Sequence, residues 1–136
     1  MLIYRVENKN GRGMYRNNPH EDLYCSYRCP SPFDETMELD LRRFLKKQGE
    51  YSQYYYGFSS KGQARAWFPE DVLNSDLLDD LAHSRMWMTT YDVSEEHLFE
   101  GNQQTVFLRG KAVRVDHTTV RKWFKAYEKS LEADFL

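Results

Sequence analysis

Apolar and polar residues alternate at the start of the chain. In residues 2–7, LIYRVE, Leu2, Tyr4 and Val6 share one face of a strand, while Ile3, Arg5 and Glu7 share the other. A cation and an anion therefore stand together on one face. The NKNGRG stretch at 8–13 ends the strand with residues that tolerate tight-turn backbone angles. Residues 14–33, punctuated by Pro30-Ser31-Pro32, read as an irregular excursion with at most a short strand at 23–27.

The period then changes to that of a helix. Across 34–48, Met37, Leu41, Phe44 and Leu45 recur at helical spacing, acids Asp34, Glu35 and Glu38 open the segment, and bases Arg42, Arg43, Lys46 and Lys47 close it before Gly49. YSQYYYGF at 51–58 favours an extended strand, and three successive tyrosines cannot all face a core. Ser60 with Gln63 three residues on fits a capping box for a helix over 61–68, whose apolar face is Ala64, Trp67 and Phe68. Leu73, Leu77, Leu78 and Leu81 give a second helix over 70–82 with an acidic outer side.

Residues 85–93, RMWMTTYDV, read as a strand apolar on both faces and hence central. A connection over 94–101 leads to a β-hairpin at 103–115: Gln104, Val106 and Leu108 share a face of the first arm, Val113 and Val115 a face of the second, and Gly110 turns the chain. Residues 116–119 supply caps for a C-terminal helix with Val120, Trp123, Phe124, Tyr127 and Leu131 along one stripe. The order does not alternate as a doubly wound fold does. It predicts an α+β class, a mixed or antiparallel sheet with helices packed against it, in a single domain over 1–136.

Composition narrows the function. A net charge of -2 argues against a general nucleic-acid coat and against a strongly acidic DNA mimic. No apolar run approaches the roughly 20 residues that span a bilayer, and MLIYRVENK lacks the order of a secretory signal, so a cytoplasmic protein without membrane contact is expected. Cys25 and Cys29, with His20 nearby, are spaced too loosely for a typical zinc pair, and no metal site is expected. No phosphate-binding glycine loop, GxSxG elbow or HExxH pair is present.

YRVE in the first strand, YGFSS between strand and helix, and a late polar-polar-apolar hairpin resemble the ordering in mono-ADP-ribosyltransferases of the Arg-Ser-Glu type. The resemblance implies NAD as cofactor. Arg5 would contact its phosphates and ribose, Ser59 would support the nicotinamide pocket, and Gln104 would stand at the position of the catalytic glutamate. Tyr56 is the stacking ring beside them. An amide can hydrogen-bond a ribose hydroxyl but cannot balance positive charge growing at the anomeric carbon, which leaves Glu100, or Glu7 beside Arg5, to supply a carboxylate.

The layout also resembles small bacteriophage and prophage proteins that open on a YRVE-like strand and later carry a GFxS…WF segment, which implies an accessory factor binding host or defence machinery. That is the leading functional expectation. Its alternatives are an NAD-dependent mono-ADP-ribosyltransferase or NAD glycohydrolase, and a single-stranded nucleic-acid binder using Tyr54 to Tyr56 with the bases of residues 42–47.

Overall fold

The computed structural model describes residues 1–11, 39–48, 53–68 and 86–133. The stretch 14–33 with Cys25 and Cys29, the first turn of the 34–48 helix and the acidic helix expected at 70–82 lie outside the described residues. Six strands are present among those described: β1 (Leu2–Glu7), β2 (Tyr54–Gly57), β3 (Trp87–Asp92), β4 (Leu98–Glu100), β5 (Thr105–Leu108) and β6 (Val113–Thr119). Three α-helices accompany them, α1 (Leu39–Lys47), α2 (Lys61–Trp67) and α3 (Val120–Ala133). The class is α+β with a C-terminal helix, and all strand pairing is antiparallel.

The strands form two three-stranded sheets, ordered β1-β3-β6 and β2-β5-β4. They are stitched together where Tyr4 and Phe58 exchange backbone bonds of 2.8 and 2.7 Å. Alternation along each strand then fixes what lies on each side. Ile3 and Tyr91 of the first sheet meet Phe107 of the second, with Val93 beside them, in an apolar cluster that fills one end of the space between the sheets. The opposite face of the first sheet, Tyr4, Val6 and Met88, packs on Ala64 and Trp67 of α2 and on Val120, Trp123 and Phe124 of α3. The far face of the second, Val106 with Tyr54, Tyr56 and Phe99, receives Leu41, Phe44 and Leu45 of α1. Helices therefore cover both outer faces, and only the inner faces look at each other.

The central strand of 85–93 is as expected: β3 lies between β1 and β6. The late hairpin is not. Both of its arms are strands, but they belong to different sheets, and the chain crosses between them through a short 3-10 turn at Arg109–Lys111. A two-residue hairpin needs a positive φ in its turn, and Gly110 does not supply one, since Gly11 is the glycine with that conformation among the described residues. The hairpin that does form lies one strand earlier. β4 pairs with β5, and the Gly101 N–H donates to the Gln104 carbonyl across a loop that contains Asn102, Gln103 and Gln104. β4 has only three residues, too short to stand out in the pattern. At the other boundary β6 runs through 116–119, and Thr119 alone serves as the cap, its Oγ1 accepting from the Lys122 N–H at 3.2 Å. No helix among the described residues is long and apolar enough to cross a membrane.

Candidate functional site

β1 turns Arg5 and Glu7 toward the space between the sheets, beyond the apolar cluster. The Arg5 guanidinium uses all its nitrogens: Nε donates to Glu7 Oε2 at 3.0 Å, Nη1 to the Tyr56 carbonyl at 2.7 Å, and Nη2 to the Gly11 carbonyl at 3.2 Å. It also lies over the Tyr55 ring, 4.8 Å from the centroid. Gly11 adopts φ 79°, which a side chain disfavours, and so holds its carbonyl where Arg5 reaches it. Arg5 thereby fastens the first strand to the second sheet and to the turn that follows β1.

Glu7 is fully buried, so the exposed strand-surface pair that alternation alone allows is in fact an interior one. A carboxylate out of water needs partners on both oxygens. Arg5 serves Oε2, while the Tyr91 hydroxyl donates to Oε1 and Arg114 Nη2 stands 3.7 Å from that same oxygen. Arg109 lies over the Tyr91 ring at 4.5 Å. Burial lowers the Arg5 pKa, and the neighbouring Glu7 charge opposes the shift. Burial raises the Tyr91 pKa, and its bond to Glu7 raises it further.

A second polar group forms at the rim, where β2 hands over to α2. Ser60 caps α2 through the Gln63 N–H at 2.9 Å, as the spacing predicts. The Gln63 side chain reaches one residue further back than a simple capping box: its Oε1 accepts from the Ser59 N–H at 2.8 Å, the Ser59 hydroxyl at 3.4 Å and the Thr105 hydroxyl at 3.2 Å. Its Nε2 donates to the Gly101 carbonyl at 2.7 Å. One amide thus ties the start of α2 to the β4–β5 loop.

The residues assigned to an NAD site divide between these groups. Arg5 meets Tyr56 through the backbone carbonyl, whereas the Tyr56 ring packs on the α1 side of its sheet. Ser59 belongs to the rim group, and Gln104, buried, joins the same loop through its carbonyl. Glu100 is exposed at the end of β4, opposite Thr105. By alternation Gln104 shares the face of Val106, which looks toward α1 and away from Arg5. The residues that do converge on Arg5 and Glu7 include Tyr55, Tyr91 and Arg114, none of them assigned from sequence. Tyr91 was within reach, since the strand pattern places it on one face with Trp87 and Thr89. Arg114 was not, because a register shift between Thr90 and Tyr91 sets Arg114 opposite Tyr91 and leaves Val115 as the extra residue. Among the described residues no group of His, Cys, Asp and Glu could hold a metal ion.

The family model of the bacteriophage T4 Y00F protein matches residues 1–121. No curated protein and no solved structure matches the chain significantly. These comparisons lend no support to the resemblance to ADP-ribosyltransferases.

Proposed function

The chain belongs to the bacteriophage T4 Y00F protein family, and from that premise we propose that it is a phage accessory protein that acts by binding a host or defence macromolecule rather than by catalysis. The observation that carries this reading is the division of the polar residues. Among the described residues Arg5 is committed to Glu7, Tyr56 and Gly11, and Gln104 and Glu100 stand with the other group, which supports a scaffold without an arginine and a carboxylate aimed at a common substrate position. An ADP-ribosyltransferase-like scaffold, if that is its ancestry, would on this reading have kept the first-strand arginine for holding the sheets together.

A surface suited to binding supports the same reading. Among the described strands β6 is an outer strand of its sheet, with Val113 63% and Val115 53% exposed. An outer strand offers backbone donors and acceptors to a partner's extended segment, and two exposed valines add apolar contact. The test is affinity capture from bacterial lysate by the immobilised chain, beside Val115→Lys. The expected result is a macromolecule retained by the wild type and released by the variant. Nothing retained at low salt, together with nicotinamide released from NAD, overturns the reading in favour of the enzyme.

A further inference from the structure

We draw no further inference here: the strongest candidate, the exposed apolar patch at one end of the first sheet, where the register sets Leu2 of β1 and Val113 of β6 on either side of Asp92 with Val115 further along β6, carries nothing, because nothing in the structure shows what covers it.

Discussion

Two polar groups flank strand β2, and their chemistry differs. At its start, Arg5, Glu7, Tyr91 and Arg114 form an ionised cluster between the sheets, with a carboxylate wholly out of water. At its end, Ser59, Gln63, Thr105 and the Gly101 carbonyl form a neutral cluster at the rim. In the first, every bond involves a charge whose desolvation must be offset; in the second, an amide satisfies backbone and hydroxyl groups one for one. The ionised group ties the first sheet to the second. The neutral one latches a helix start to a loop. A transferase of the Arg-Ser-Glu type would use Arg5 and Ser59 together; here Arg5 bonds within the first group and Ser59 within the second.

The largest expected effect separates the groups directly. Glu7→Gln leaves the Arg5 charge buried with half its partner gone and should cost about 3–5 kcal/mol of folding stability in urea unfolding. A smaller loss than that of Gln63→Ala would break the comparison. Next is Gly57→Ala, in the strand that joins the groups: a Cβ there would lie 2.7 Å from Ile3 Cγ2 and 2.9 Å from the Tyr4 carbonyl oxygen. Because the carbonyl is backbone in the stitched pair, it cannot turn aside, and a loss of about 1–3 kcal/mol is expected by thermal or urea unfolding. Gln63→Ala removes the acceptor shared by Ser59 and Thr105 and should cost about 1–3 kcal/mol. Its local signature is faster amide exchange at residues 100–105 with no change at Arg5.

The smallest effect is a pH dependence confined to the ionised group. Tyr91 has a folded-state pKa above the ordinary tyrosine value. The unfolded chain then loses its proton first, so the stability this residue adds is whole below about pH 10 and is lost as pH rises through the folded value. Buried Tyr4 has the same sign. Unfolding midpoints from pH 8 to 11 should fall, and Tyr91→Phe should make the fall shallower. Gln63→Ala should leave its slope unchanged.

Much of this was legible in the sequence. Alternation placed Arg5 and Glu7 on one face of β1, helical spacing found the apolar stripes of α1 and α3, and the Ser60–Gln63 spacing gave the start of α2. Pairing was less accessible, because a run such as TVFL carries its faces but not its partner. The apolar arms at 105–108 and 113–115 have the look of one hairpin, and only the absence of a left-handed Gly110 together with the competing β4 and β3 edges sends them to separate sheets. The site was harder still. Gln63, which no motif singled out beyond the cap, organises the group around Ser59, and the bulge at Val115 that brings Arg114 beside Tyr91 leaves no mark in local propensity.

The separation of the two groups is tested most directly by restoring the missing carboxylate. Nicotinamide release from NAD should be measured for the wild type and for Gln104→Glu under the same conditions. If Gln104 faces α1 rather than Arg5, both should stay at the uncatalysed background. Release by the wild type, or a clear gain on introducing the glutamate, would contradict the account and return the chain to the transferases.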